Sequence, residues 1–246
     1  MEIKNNPTGR LLDILEKARR IPDNARTRDA WAQIFECEKS DTSSLLNGLA
    51  QLINLIAEAK KATERHAPGD QTIYLAPFPH IENLLSRVNF DQQWNSVKAH
   101  VNDKMISGLE FGSHMLSFSY GQSAFEQKEI QSLLEGISAL LAECLETQLP
   151  DELKRFFAKN IEGLRSALIA YKISGTEGVQ EEIDRIGGAI FRHRSEIENA
   201  KASTETGAFV EKFFNLVSRI NDSVQLAQNV QTIGLPMMLM LSQIPK

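Results

Sequence analysis

Apolar residues recur at intervals of three and four along nearly the whole chain, the spacing of one buried helix face. The pattern is strongest between Ser123 and Gly175. Ile130, Leu133, Leu134, Ile137, Leu140, Leu141, Cys144 and Leu145 line one predicted helix. Leu153, Phe157, Ile161, Leu164, Leu168 and Tyr171 line a second. The first is expected to open on a capping box, Ser123-Ala-Phe-Glu126, whose side chains can each satisfy a free backbone N–H. The second is expected to start at Pro150-Asp151-Glu152, with two carboxylates at the positive end of the dipole. It should stop at Ser174-Gly175, where glycine can take a left-handed turn.

The remaining segments read as helices too. Thr8 is expected to cap Gly9–Arg20, with Leu11, Leu12 and Leu15 inward, before Pro22-Asp23-Asn24 breaks the run. Thr27 is expected to cap a short helix carrying Trp31, Ile34 and Phe35. A longer one spans about Asp41 to His66, with Leu45, Leu49, Leu52, Ile53 and Ile56 on one face and Lys60, Lys61 and Arg65 near its end. Ala67-Pro-Gly-Asp-Gln is a loop, followed by a short extended piece, Thr72–Ala76, and by Pro77-Phe-Pro79, where a subdomain boundary is placed. Further helices are predicted at His80–Val101 and Asn102–Tyr120. In the latter, Met105, Leu109, Met115 and Leu116 outweigh the strand-like alternation of Leu116–Tyr120, although Gly108 and Gly112 weaken it. Thr176 to about Ala200 follows, where Gly187-Gly188 predicts a kink or the close approach of another helix. The last runs from about Thr206 to Thr232, before Gly234-Leu-Pro236 and the apolar Met237-Met-Leu-Met-Leu241. The expected fold is all-α, an antiparallel bundle of about eight helices, with an N-terminal module over 1–77 and the main bundle over 78–246.

Composition changes this picture little. An apolar content of 42% in 246 residues suffices for one good core or two small ones, and aromatics at 7% suit helices better than a β-sandwich. The net charge of −5 argues against a whole-molecule attraction to nucleic acid or anionic lipid. Cys37 and Cys144 form neither a disulfide framework nor a zinc pattern, and both are expected to be small buried hydrophobes. The first residues lack a signal-peptide pattern, and the longest apolar stretches, Leu45–Ala57 and Leu133–Leu145, are too short to span a bilayer. A cytoplasmic location is expected.

One stretch carries a resemblance. Leu149-Pro-Asp-Glu-Leu153, Ile161, Leu164-Arg165, Ala167-Leu168, Tyr171-Lys-Ile-Ser-Gly175 and Glu177-Gly178 resemble a pattern found in uncharacterised bacterial all-helical proteins. The resemblance covers roughly residues 131–188 and rests on helix boundaries and core positions. It implies a bacterial or phage origin and carries over no site residue.

Candidate chemistry is sparse. The sequence holds no Glu-x-x-His pair, His-Glu-x-x-His, Cys-x-x-Cys, phosphate loop or Gly-x-Ser-x-Gly elbow, so no metal or other cofactor is expected. Glu110 with His114, His100 with Asp103, and His193 with Glu196 could each share a helix face, as such pairs often do by chance. Arg192, His193 and Arg194 could receive a phosphate or carboxylate, or could form a solvated face paired with Glu196 and Glu198. Phe213, Phe214 and Val217 widen the apolar face of the last helix beyond what one neighbour needs. With Leu235, Met237, Met238 and Met240 they make the C-terminal end the expected binding surface for another protein or a second copy. The leading expectation is a non-enzymatic helical interaction protein, a scaffold or regulator. The alternatives are an immunity or toxin-type effector whose apolar C-terminal end engages membrane, and a hydrolase using distant groups such as Glu110, His114, Arg192 and His193.

Overall fold

Long three-and-four runs become helices, and the largest failure, after Ser86, comes where hydrogen bonds to a distant segment compete. The computed structural model describes residues 4–120, 125–202 and 204–227 and is all-α. Its helices are α1 (Pro7–Arg20), α2 (Thr27–Phe35), α3 (Thr42–His66), α4 (Thr72–Leu75), α5 (Pro77–Ser86), α6 (Asn95–Lys98), α7 (Asp103–Ser117), α8 (Gln127–Glu146), α9 (Asp151–Arg192), α10 (Arg194–Lys201) and α11 (Thr204–Ala227). Two compact units divide the chain, Lys4–Gln122 and Ser123–Lys246. Pro77, the expected boundary, lies inside the first of them, because α3 packs on both α4 and α5 and α5 packs on α7.

In the first unit α1 lies against α7 and α3. Asn6, not Thr8, caps α1: its side chain accepts a hydrogen bond from the Gly9 N–H, and Pro7 fills the first turn. Thr8 is buried instead, its hydroxyl 3.4 Å from that of Thr63. The glycines that weakened the prediction for α7 serve close packing. A Cβ on Gly112 would sit 3.1 Å from Thr8 Cγ2, and one on Gly108 only 2.5 Å from Pro77 Cγ. Arg10, 3% exposed, donates to both carboxylate oxygens of Glu58 at 2.9 and 2.8 Å and ties α1 to α3. Trp31 stacks on Phe35 and meets Trp94 edge-on, while the Trp94 indole N–H donates to the Ala18 carbonyl at 2.9 Å.

Several expectations fail here, those for His80–Val101 and for Thr27 because non-local hydrogen bonds compete. The helix expected over His80–Val101 stops at Ser86 and resumes only for the single turn α6. Between them Asn89 accepts from the Asp91 N–H, the Gln92 carbonyl accepts from the Thr27 backbone and hydroxyl, and the Trp94 N–H donates to Ala25. Arg26 and Gln93 thereby form an antiparallel bridge. Thr27 is thus engaged across the unit rather than capping α2, whose N-cap is Arg26. Thr72–Ala76 is a helical turn rather than extended, started by Asp70 accepting from the Thr72 N–H. Pro77 opens α5 rather than ending a run. On α3, Leu45, Leu52 and Ile56 are buried as expected, with Leu55 beside them, but Ile53 is exposed.

The second unit is a four-helix arrangement. Its second and third expected helices meet where predicted, at Gly175, whose φ of 64° and ψ of −159° only glycine adopts readily. The chain folds back there, so that α9 has two limbs, and the Glu182–Arg185 pair of the second limb lies over Gly163 of the first. Phe125, ahead of α8, meets Tyr171 edge-on, and the Lys154 ammonium reaches the Leu145 carbonyl, which sets α8 antiparallel to the first limb. α11 closes the bundle on α8 through Lys212 and Glu143 at 2.8 Å, and on α9 through Phe157 against Phe209 and Phe213. α8 begins at Gln127 without a side-chain cap, and Ser123 of the expected capping box lies outside the described residues. Gly187-Gly188 produces neither a kink nor a close approach among the described residues. The break comes later, at His193, which separates α9 from α10.

Candidate functional site

The C-terminal helix does not offer the surface its sequence suggests. Phe213, Phe214 and Val217 are all buried in the core of their own unit. Phe213 meets Phe157 at 5.1 Å between ring centroids, and the Lys201 ammonium lies 4.9 Å over the Phe214 ring. The physical reason is that α11 has α8, α9 and α10 as neighbours, so a face too wide for one helix is consumed by several. Leu235, Met237, Met238 and Met240, like the rest of the tail, lie outside the described residues.

Arg192, His193 and Arg194 fall on the α9–α10 break. Arg192 is exposed, the half-buried His193 ring lies 4.9 Å from the Phe156 ring, and Arg194 Nε donates to Glu198 at 2.8 Å. One arginine of the three residues is therefore paired along its own helix, as a solvated face would have it. The acid–histidine pairs do not assemble a site. His114 turns its ring onto Phe118 at 5.3 Å, and Asp103 takes Arg19 at 2.7 Å. Glu110 and His114 belong to the first unit, Arg192 and His193 to the second. Among the described residues no three His, Cys, Asp or Glu side chains are grouped so as to hold a metal ion.

Neither thiol is set up as a nucleophile. Burial pushes the Cys144 thiol up, only partly opposed by the Lys154 charge, and its sulfur sits 3.6 Å from the Lys154 carbonyl. Cys37 is half-exposed rather than buried, because Glu36 ends α2 in a left-handed turn with φ of 56°. Partial burial and then the Asp41 carboxylate raise its pKa as well.

What the structure does expose is apolar surface on α7. Phe111 and Phe118 are 62% and 80% exposed. Seven residues apart, they stand on one line of the helix, with His114 between them. The buried face of α7 is carried by Met105, Ile106, Leu109, Gly112, Ser113 and Leu116, so the two phenylalanines are left over once its core is complete. That remainder was the available signal: a Phe pair at heptad spacing, off the seam that the helix buries. The exposed Leu145, Ile169 and Phe191 of the other unit lie on α8, the first limb and the second limb of α9 respectively. Singly exposed apolar residues of that kind are ordinary.

No helix among the described residues is long and apolar enough to cross a membrane. The chain matches no protein-family model, no curated protein and no solved structure.

Proposed function

We propose that this protein is a helical interaction module whose partner-facing surface is the outer side of α7. The observation that carries the reading is the exposed Phe111–Phe118 pair, two rings that stay in water beside a completed core. Each would gain roughly 1.5–3 kcal/mol if buried, enough together for a specific contact. The ligand expected there is a protein segment offering an apolar stripe of similar length, such as an amphipathic helix. The role belongs to α7 rather than to α11, whose phenylalanines are spent internally.

A photo-crosslinking amino acid placed at Phe118, Phe111 or, as a control, at the exposed Asp91 tests this in the native host. A discrete protein adduct from the first two positions and none from Asp91 is expected. Equal labelling at all three, or no adduct at Phe111 and Phe118, would overturn the assignment. Adducts to lipid instead of protein would point to the membrane-engaging alternative.

A further inference from the structure

The outer face of α3 carries a second, differently built surface. A solvated face of a helix of about seven turns normally carries charged residues throughout. Between Asp41 and Lys60 this one carries a single charge, Glu58, and that carboxylate turns inward to Arg10. Beyond the polar first turn, the exposed positions are instead Leu46, Asn47, Ala50, Ile53, Asn54 and Ala57. Leu46, Ala50, Ile53 and Ala57 alternate by four, three and four residues, which makes one continuous seam of the kind that pairs helices. Leu46 is 52% and Ile53 56% exposed. The seam alternates large, small, large, small. Exposed charges flank it: Glu38, Lys39 and Asp41 at the start, Lys61, Glu64 and Arg65 at the finish.

We infer that α3 pairs antiparallel with α3 of a second copy of this chain, about a two-fold axis between residues 51 and 52. That one axis satisfies size and charge together. It sets Leu46 of each copy opposite Ala57 of the other and Ile53 opposite Ala50, so each large side chain meets a small one. It also brings Glu38, Lys39 and Asp41 to the end that carries Arg65, Glu64 and Lys61, so that each charge has an opposite across the axis. A parallel pair would stack Leu46 on Leu46, Ala50 on Ala50, and like charges at both ends. The antiparallel contact is self-complementary, as a closed symmetric dimer requires, and alanines every seventh residue let the two backbones approach closely. The inference is independent of the α7 surface: it names another helix and another occupant.

The mass of the full-length protein across a concentration series is the test. Wild type is expected to approach twice the 27.6 kDa chain mass. Ile53→Glu, lost from two symmetric positions, should weaken self-association by roughly a hundred-fold or more. Ala50→Gln favours helix but obstructs close approach, and it should weaken the dimer likewise. Helical circular dichroism must be unchanged in a variant for its mass to count, and Ala50→Gln stands in should Ile53→Glu disturb folding. Orientation is read by disulfide trapping in a Cys37→Ser background. Ala50→Cys, near the axis, should cross-link to itself, whereas Ala57→Cys should not. A monomer at every concentration, a dimer indifferent to both substitutions, or efficient self-cross-linking of Ala57→Cys would overturn the inference.

Discussion

Between Ser123 and Lys246 the described chain forms a few long helices, and three of their N-terminal positions, Glu126, Pro150 and His193, make no side-chain cap. Between Lys4 and Gln122 the helices are mostly shorter. Asn6, Asp41 and Asn102 each accept a hydrogen bond from the first turn of the three longest there, α1, α3 and α7, while α2, α4, α5 and α6 have no side-chain cap. The long-helix unit is held by an aromatic seam, Phe157 with Phe209 and Phe213, and by Phe125 with Tyr171. The other is held as much by polar ties between distant segments, Arg10 to Glu58 and Trp94 to the Ala18 carbonyl. The difference follows from helix cooperativity. A helix leaves about four N–H and four C=O groups unmet at its ends whatever its length, so ends dominate a short helix and hardly matter to a long one. Short helices, most of them without a side-chain cap here, therefore need anchors from other segments, and long ones need a continuous apolar face.

The sharpest way to break this contrast is at the aromatic seam. Phe157→Ala removes a fully buried ring with three edge-on partners, and a loss of about 3–5 kcal/mol is expected in urea unfolding followed by circular dichroism. A loss below 1 kcal/mol would show that the long-helix unit does not depend on its seam. A smaller effect, roughly 1–3 kcal/mol, is expected from Gly175→Ala, which forces a side chain into a backbone region suited to glycine alone. An unchanged unfolding midpoint would mean that the fold-back of α9 lies elsewhere. Smallest is the cap comparison. Asn102→Ala should cost about 1 kcal/mol, since it removes the acceptor for the Met105 N–H. It can be followed by tryptophan fluorescence, as Trp31 and Trp94 both belong to that unit. Glu126→Ala, at an N-cap with no side-chain bond, should stay within about 0.5 kcal/mol, and equal losses at both positions would erase the contrast.

Legibility in the sequence follows the same division. In the long-helix unit the core positions Ile130 to Cys144 and Leu153 to Tyr171, and the stop at Gly175, are those the periodicity indicates. Misplaced there are Leu145, expected inward but 60% exposed, the helix start, which falls at Gln127 without a side-chain cap, and Gly187-Gly188, which sit in unbroken helix while the break comes at His193. In the short-helix unit, Thr27 and the segment from Arg87 to Trp94 misled, because their partners are more than sixty residues away in the chain. Gly108 and Gly112 were legible as weak helix formers but not as sites of close approach, which depends on Pro77 and Thr8 arriving from other helices.

The candidate surfaces were less legible than the fold. Phe213, Phe214 and Val217 were apolar in excess of one neighbour, and only the number of neighbours shows that they are interior. Ile53 was assigned inward and Phe111 and Phe118 were passed over, since periodicity identifies an apolar face without saying which of two faces meets the core.

The sequence by itself determined that this protein is helical, where its long helices run, and that glycine must stand at the turn of α9, because these depend on neighbours within a few residues. Tertiary structure alone decided where the chain divides, how the short segments are bonded, and which apolar side chains remain in water. Those outcomes depend on how many elements converge on each face, a property no local stretch of sequence contains.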